Sequence, residues 1–363
     1  MKSISEILEK TILSKEDIVI LLSLRGDEAR ELRNRALQVK AEHVGRKVWF
    51  RGLIEYSNIC SKDCYYCGIR CSNKKYARYT MSDDEVIEAA LWAYNNRFAS
   101  IVIQSGEQTG KPFRDTIERL LNEISRATKR ELHITLSLGE QSEETYRRWL
   151  EAGAQRYLLR IEVSNPALYS RLHPGNRHHS YADRLEKLHL LRKTGYMVGT
   201  GVMIGLPFQH PEDLADDLIF MRDFDVDMVG MGPYIEHEDT PLYAYQDQLL
   251  PLQERLELSL NMVAILRVMM KDINIAATTA MQTIDPQGRE KALLAGANVM
   301  MPNLTPLKYK EEYLLYRNKP GISDDAERTR EKMEQSIRAA GDEIGYGEWG
   351  DPRHFERRVK NEE

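Results

Sequence analysis

The 363-residue sequence predicts an α/β chain whose centre is a (β/α)8 barrel of the TIM type, with a helical extension before it and a carboxyl-terminal helix after it. After Gly45 the chain alternates between short apolar segments of strand length and longer segments of helical periodicity. Eight such strands can be counted. Eight parallel strands joined by right-handed crossovers close into a barrel. A doubly wound open sheet is the alternative arrangement of the same units.

The amino-terminal extension is predicted to occupy residues 1–45. Its first apolar residues are spaced to share one face of a helix. Ser14 stands before two acidic residues and predicts the start of a second helix. Residues 28–42 predict a third, strongly charged helix.

The barrel is predicted over residues 46–317 and a helical tail over 318–363. The predicted strands are 48–56, 99–104, 131–137, 156–162, 197–203, 227–232, 273–278 and 297–301. The predicted helices between them are 82–96, 114–128, 142–152, 181–194, 211–223, 250–270 and 288–295. In the tail, 324–340 predicts a polar helix and 346–363 a loosely packed terminus.

The composition is that of an ordinary soluble globular protein, with 42% hydrophobic and 29% charged residues. No apolar run approaches the length of a membrane span. A net charge of −5 gives no basic footprint for nucleic acid. The first residues lack the apolar segment of a secretion signal, so a cytoplasmic location is expected. These observations favour a small-molecule substrate.

The most specific motif is a run of four cysteines, Cys60, Cys64, Cys67 and Cys71, of which the first three are spaced CxxxCxxC. Tyr66 stands directly before the third. Three thiolates on one loop can bind three corners of a [4Fe-4S] cube. Electron-transfer clusters take four protein thiolates, so an open fourth iron indicates a cluster that binds a ligand.

Three other uses of the cysteines are possible. A structural zinc site normally shows paired units separated by a longer span, and no histidine lies within ten residues of this run. Disulfides need an oxidising compartment, which nothing in the sequence suggests. Cys71 could be a fourth ligand, although a bystander thiol near the loop is the favoured interpretation.

Polar residues follow several predicted strands, at the end of a parallel barrel where chemistry takes place. Arg160 and Glu162 are two apart on one strand and therefore share a face. They could simply pair with each other, but their position favours ligand binding. Thr278 and Thr279 end the seventh strand, where two hydroxyls near Arg160 could hold an anion. His237 is expected to be a hydrogen-bonding loop residue.

Seven segments carry a family resemblance. In order they are Cys60-x3-Cys64-x2-Cys67, Gln104-Ser-Gly-Glu107, Leu136-Ser-Leu-Gly-Glu140, Arg156-Tyr-Leu-Leu-Arg160, Asp227-Met-Val-Gly230, Ala277-Thr-Thr-Ala-Met281 and Gly296-Ala-Asn-Val-Met-Met-Pro302. Together they resemble the biotin-synthase-related radical S-adenosylmethionine (SAM) enzymes, most closely the HydE-type [FeFe]-hydrogenase maturases. The resemblance extends to about residue 317.

The resemblance implies that SAM binds the open iron of one [4Fe-4S] cluster and is cleaved reductively to methionine and a 5′-deoxyadenosyl radical. The implied cluster ligands are Cys60, Cys64 and Cys67. The implied SAM-binding residues are Tyr66, Gly106, Glu107, Ser137, Glu162 and Arg184. The implied residues of the substrate cavity, where catalysis takes place, are Arg160, Thr278, Thr279, Met301 and Tyr309.

The implied role is assembly of the diiron subcluster of [FeFe]-hydrogenase. The substrate would be an iron-cysteine carbonyl/cyanide complex, and ferredoxin or flavodoxin would supply the electron. The scaffold HydF and the maturase HydG would be partners, with no nucleic acid or membrane involved. One departure stands out, since no cysteine follows Cys71 to hold a second cluster. Biotin synthase and the tyrosine lyase maturase both need one.

Two other functions stay open from the sequence. A methylornithine-synthase-like mutase acting on an amino acid would use the same barrel and one cluster. Such a mutase should offer an acidic partner to the substrate amine, but strands seven and eight show none before Asp285. A non-catalytic cluster-binding scaffold protein is the third possibility.

Overall fold

A computed structural model describes residues 3–362 of the chain. Residues 1, 2 and 363, at the ends of the predicted extension and tail, lie outside the described residues. The strands within 3–362 are β1 (Lys47–Phe50), β2 (Gly52–Ser57), β3 (Ser100–Ser105), β4 (His133–Ser137), β5 (Ala154–Leu158), β6 (Met197–Thr200), β7 (Met203–Ile204), β8 (Met228–Val229), β9 (Gly232–Pro233), β10 (Asn274–Ile275), β11 (Val299–Met300) and β12 (Glu343–Ile344).

A parallel sheet forms the centre of the molecule in the order β10-β8-β6-β5-β4-β3-β2. At one edge β2 continues directly from β1, where Trp49 is in register with Val299 of β11. At the other edge Ala276, next to β10, bridges the same Val299. β11 therefore joins the two edges, and eight parallel segments form a closed ring. The predicted (β/α)8 barrel is confirmed, and the open-sheet alternative is wrong.

The last barrel strands are shorter than predicted, because their ends leave the sheet early. Residues 197–203 divide into β6 and the start of β7, and β7 pairs with β9 outside the main sheet. The backbones of Gly201 and Gly230 lie very close together where these strands end. A Cβ added to Gly201 would lie 1.9 Å from the carbonyl oxygen of Gly230. The glycines thus allow two strand ends to converge at the mouth of the barrel.

Helices surround the ring as the alternation predicts. The α-helices within 3–362 are α1 (Ile4–Leu8), α2 (Lys15–Ser23), α3 (Gly26–His43), α4 (Asp83–Asn95), α5 (Lys111–Ala127), α6 (Glu143–Glu151), α7 (Pro166–Leu172), α8 (Tyr181–Thr194), α9 (Pro211–Phe224), α10 (Leu252–Met269), α11 (Thr279–Ile284), α12 (Gly288–Leu294), α13 (Leu307–Lys310), α14 (Ala326–Ala339) and α15 (Arg353–Glu362). None of these helices has the length and apolar content needed to cross a bilayer.

The predicted amino-terminal helices are present as α1 to α3. Ser14 caps α2, and its side chain accepts a hydrogen bond from the Asp17 amide at 3.2 Å. α2 and α3 pack against α10, and their apolar residues belong to the same core as the barrel. The division of the chain at residues 45 and 317 stays a prediction.

The carboxyl-terminal tail is not the loosely packed terminus that its polar sequence predicts. Strand β12 pairs with β1, and α15 lies against the amino ends of the barrel strands. The buried Arg156 pairs with Asp351 and donates to the carbonyl of Trp349 at 2.7 Å. His354 bridges Asp225 at 2.6 Å and Asp272 at 2.9 Å. Charged residues of this segment, which the sequence suggested were solvated, therefore hold it against the amino-terminal end of the barrel.

We expect His354→Ala to destabilise the protein most in mildly acidic solution. Burial alone would lower the pKa of His354, but its contacts with Asp272 and Asp225 outweigh burial and raise that pKa. The imidazolium therefore contributes stability that is fully present below about pH 6.5, the ordinary value for histidine. This contribution is lost as the pH rises through the higher folded-state value. Arg357 keeps Asp272 paired and Arg358 keeps Asp225 paired, so we expect a loss of about 1 kcal/mol.

Urea unfolding of the wild type and this variant at pH 6 and pH 9 measures the effect. The control is His178→Ala, which removes an exposed histidine. A difference in unfolding free energy that grows toward pH 9 would contradict the assignment.

Candidate active site

A cavity of about 350 Å³ opens at the carboxyl ends of the barrel strands. It is lined by every residue that the sequence assigned to the site, with one exception. The predicted residues that line it are Cys60, Cys64, Cys67, Tyr66, Gly106, Glu107, Ser137, Arg160, Glu162, Arg184, Thr278, Thr279 and Met301. The barrel thus brings together residues that are up to 241 positions apart in the chain, from Cys60 to Met301.

The three cysteines of the CxxxCxxC spacing face this cavity from the loop after β2. The sulfur of Cys60 accepts from the backbone amides of Lys62 at 3.4 Å and Glu107 at 3.3 Å. Amide donors of this kind stabilise negative charge on sulfur. Burial, followed by the neighbouring Cys60, raises the pKa of Cys67 to about 12, and burial raises that of Cys64 as well. Metal binding at these thiols must therefore release protons.

The set fits an iron-sulfur cluster in its donor chemistry and its setting. Three sulfurs share one cavity wall, and β3 ends close against the cysteine loop. A Cβ added to Gly106 would lie 2.4 Å from the carbonyl oxygen of Ile59. Within residues 3–362, no group of three or more His, Cys, Asp or Glu side chains is gathered to hold a single metal ion. In a [4Fe-4S] cube each thiolate would instead bind a different iron. Cys71 does not line the cavity, and Asp63 is its neighbour instead.

Four charged side chains, none more than 14% exposed, form a network beside the cysteines. Lys62, inside the cysteine motif, places its Nζ 3.2 Å from Glu107 and 3.0 Å from Glu140. Arg184 places its Nε 2.6 Å from Glu140, and its Nη2 lies 3.6 Å from Glu107. Burial raises the pKa of Glu107, against the opposing charges of Arg184 and Lys62. The two carboxylates and the two cationic side chains of this network thus balance in formal charge.

Lys62 is a member of this network that sequence reasoning missed. The sequence does show that Lys62 stands between Cys60 and Cys64. A lysine in a loop is ordinarily solvated, so this position alone did not indicate a role in the site. Its side chain is only 7% exposed and also donates to the carbonyl of His178. Lys62 therefore ties the cysteine loop to the loops that follow β4 and α7.

Arg160 and Glu162 form the ion pair that the sequence left as an alternative. Arg160 Nε lies 2.9 Å from Glu162 Oε1, and its guanidinium also donates to the carbonyls of Val202 and Gly230. Glu162 has φ +66°. A left-handed conformation at a residue other than glycine costs on the order of 1 kcal/mol and is often retained at functional sites. Both residues still line the cavity, so the ion pair between Arg160 and Glu162 leaves them accessible to a ligand.

Tyr66 is held by a histidine on the neighbouring helix end. Its hydroxyl lies 3.3 Å from His173 Nε2, while His173 Nδ1 lies 2.9 Å from the carbonyl of Tyr169. Since the carbonyl can only accept, Nδ1 carries the proton and Nε2 accepts from Tyr66. Burial lowers the pKa of His173 to about 3, which keeps this tautomer neutral.

Tyr309 is the exception among the predicted site residues, and its placement in the cavity is wrong. Its hydroxyl donates to Glu85 of α4 at 2.9 Å, and its ring stacks on Tyr79 at 4.4 Å. Tyr313 reaches the cavity instead and contacts Gln104 at 3.2 Å. The sequence shows two tyrosines four residues apart after the last strand, and only the path of the chain decides which one points inward.

Thr278 and Thr279 form part of the cavity lining that we call the threonine wall. The side chain of each makes one hydrogen bond to the protein. Thr278 Oγ1 donates to the carbonyl of Met231 at 3.2 Å. Thr279 Oγ1 accepts from Arg289 Nη2 at 2.9 Å. Burial lowers the pKa of Arg289 to about 10, which leaves it protonated at neutral pH. Arg289 was also missed by sequence reasoning. His237, by contrast, is the predicted loop residue, within hydrogen-bond distance of Tyr76 and Asp239.

The sequence is similar to several known proteins over most of its length. The Radical SAM superfamily model matches residues 54–221. The [FeFe] hydrogenase maturase subunit HydE of Thermotoga maritima is 43% identical over 321 residues, covering 88% of each chain. The 3-methylornithine synthase of Methanosarcina barkeri is 27% identical over 307 residues, covering 83% of this chain and 82% of its own.

Solved structures show the same fold at low sequence identity. Methylornithine synthase (PylB) superposes with a TM-score of 0.79 and 22% identity, covering 95% of this chain and 98% of its own. The maturase HydG gives a TM-score of 0.79 and 19% identity, covering 98% and 80%. The cysteine spacing, the barrel and the extent of the HydE match lead to one conclusion. The chain is a radical SAM enzyme and belongs to the family of the HydE subunit of the [FeFe]-hydrogenase maturases.

Proposed function

We propose that this enzyme holds a single [4Fe-4S] cluster through Cys60, Cys64 and Cys67, binds SAM at the open iron and acts in assembly of the diiron subcluster of [FeFe]-hydrogenase. One observation carries the proposal. The three cysteines share a cavity with a buried network of paired charges and with a separate threonine wall. When bound and reduced, the cluster supplies the electron that cleaves SAM to methionine and a 5′-deoxyadenosyl radical.

The charge network suits the amino-acid end of SAM. Arg184 is positioned to take the carboxylate and Glu107 the ammonium group, because opposite charges in a buried site bind best when paired. Lys62 and Glu140 then pair with each other, as they already do at 3.0 Å. The network can therefore exchange partners for SAM without leaving a buried charge unpaired.

The remaining lining residues suit a second, small ligand. Tyr66, Gly106 and Ser137 are assigned to SAM together with Glu162, whereas Arg160, Thr278, Thr279 and Met301 are assigned to the substrate. An iron-cysteine carbonyl/cyanide complex supplied by HydG is the proposed substrate, and HydF the proposed acceptor of the product. Ferredoxin or flavodoxin is the proposed reductant, in the cytoplasm.

The proposed enzyme has one cluster, because the sequence contains no cysteine after Cys71. Any sulfur in its product must then come from the substrate or a partner. The mutase alternative needs an acidic group for a substrate amine. Asp285, the first acid after strand seven, instead pairs with Lys291 at 2.5 Å and does not line the cavity.

Deletion of the gene in its host tests the role in hydrogenase maturation. We expect [FeFe]-hydrogenase activity to fall to background and to return with a plasmid copy of the wild-type gene. A Cys64→Ala copy is the matched control and should not restore activity. Undiminished hydrogenase activity in the deletion strain, together with lysine consumption by the purified enzyme, would favour the mutase.

A further inference from the structure

The two threonines that follow the seventh barrel strand offer different groups to a ligand. A hydroxyl has one proton and two acceptor lone pairs. Thr278 donates its proton to Met231, so it can present only an acceptor to the cavity. Thr279 accepts from Arg289, which can only donate, so its own proton stays available. The threonine wall therefore pairs one acceptor with one donor.

Arg289 is a buried positive charge that contacts the threonine wall. It lies on α12, is 9% exposed, and its Nε has no hydrogen-bond partner among residues 3–362. Within residues 3–362 no carboxylate forms an ion pair with it. Glu290, its neighbour in the chain, acts on Arg289 electrostatically without pairing with it. Arg160 differs, because Glu162 already neutralises it at 2.9 Å.

A buried cation without a partner destabilises a fold, whereas the same charge near a bound anion is stabilising. Arg289 does not line the cavity itself but reaches it through the Thr279 hydroxyl. A negatively charged acceptor atom at that hydroxyl would supply the missing counter-charge. A donor group next to it would satisfy Thr278.

We propose that Arg289 is a positioning residue that gives the substrate cavity its preference for an anionic group. It orients Thr279 as the donor toward that anion, and Thr278 accepts from the neighbouring group. A carboxylate beside an ammonium, as in the amino-acid part of a ligand, matches this donor-acceptor pair. The inference rests on the proposed function only in taking this cavity as the substrate site.

Binding of two matched probes tests the inference. L-cysteine and L-cysteinamide share the thiol and the ammonium, and only the first has a carboxylate. Calorimetric titration into the reconstituted, SAM-saturated enzyme without reductant measures binding with no turnover. We expect the wild type to bind L-cysteine about ten-fold or more tightly than L-cysteinamide, as a charge-assisted hydrogen bond predicts.

Four variants separate the roles. In Arg289→Met and Thr279→Val the ratio of the affinity for L-cysteine to that for L-cysteinamide should fall close to one. Thr279→Ser should retain the wild-type ratio. Thr278→Val should weaken both probes alike, since both keep the ammonium. Because Arg289 forms no ion pair within residues 3–362, Arg289→Met should leave the melting temperature unchanged or raise it.

Equal binding of both probes by the wild type, or binding of neither, overturns the inference. So does an Arg289→Met enzyme that keeps the preference, or one that melts earlier and loses both probes equally, because Arg289 would then be structural. These outcomes do not depend on hydrogenase maturation. Failure of the gene deletion test would overturn the proposed function and leave the charge preference of the cavity standing.

Discussion

A Cys64→Ala enzyme is expected to bind no cluster and to form no 5′-deoxyadenosine above the protein-free background. Cys64 is one of the three cysteines on the cavity wall. Without it only two irons of the cube would be bound to the protein, which is too few to retain the cluster. Iron and sulfide content, visible absorption and product analysis after anaerobic reconstitution measure the effect.

Cys71→Ala is the matched control within the same loop. Cys71 lies away from the cavity beside Asp63, so its loss should change neither the cluster content nor the cleavage of SAM. If Cys71→Ala loses both, the assignment of three protein ligands is wrong, and a fourth thiolate closes the cluster.

An Arg184→Met enzyme is expected to keep its cluster and to bind SAM about a hundred-fold more weakly or worse. Arg184 balances Glu107 and Glu140, and its loss leaves these two largely buried carboxylates with Lys62 alone. Removing one partner of a buried ion pair costs about 3–5 kcal/mol. The variant should therefore also unfold at a lower denaturant concentration.

Equilibrium binding of SAM to the unreduced enzyme, with cluster content measured on the same sample, checks this result. Arg177→Met removes an exposed arginine from a nearby turn and should behave as the wild type. Wild-type affinity for SAM in a folded Arg184→Met enzyme would remove Arg184 from the SAM site.

The barrel could be predicted because its signals are local. Strand and helix periodicities alternate along the chain, and the polar residues at strand ends mark the face where ligands bind. Because the ring places all carboxyl ends together, residues as distant as Glu107 and Thr279 could be assigned to one cavity before the structure was known.

Contacts between segments that are distant in the chain could not be predicted from the sequence. Periodicity alone did not indicate that Asp351 would meet Arg156 or that Arg289 would reach Thr279. Composition suggested that the charged residues of α15 were all solvated, whereas His354 is buried and Arg358 pairs with the buried Asp227. Tyr309 failed for the same reason, since Glu85 lies 224 positions away.

The central claim is that one iron of a single cluster is open and binds SAM. Electron paramagnetic resonance of the reduced, reconstituted wild type, recorded with and without SAM, tests it most directly. We predict one cluster of about four irons per chain, whose signal changes when SAM is added. A signal that SAM leaves unchanged, from an intact cluster, would contradict the claim.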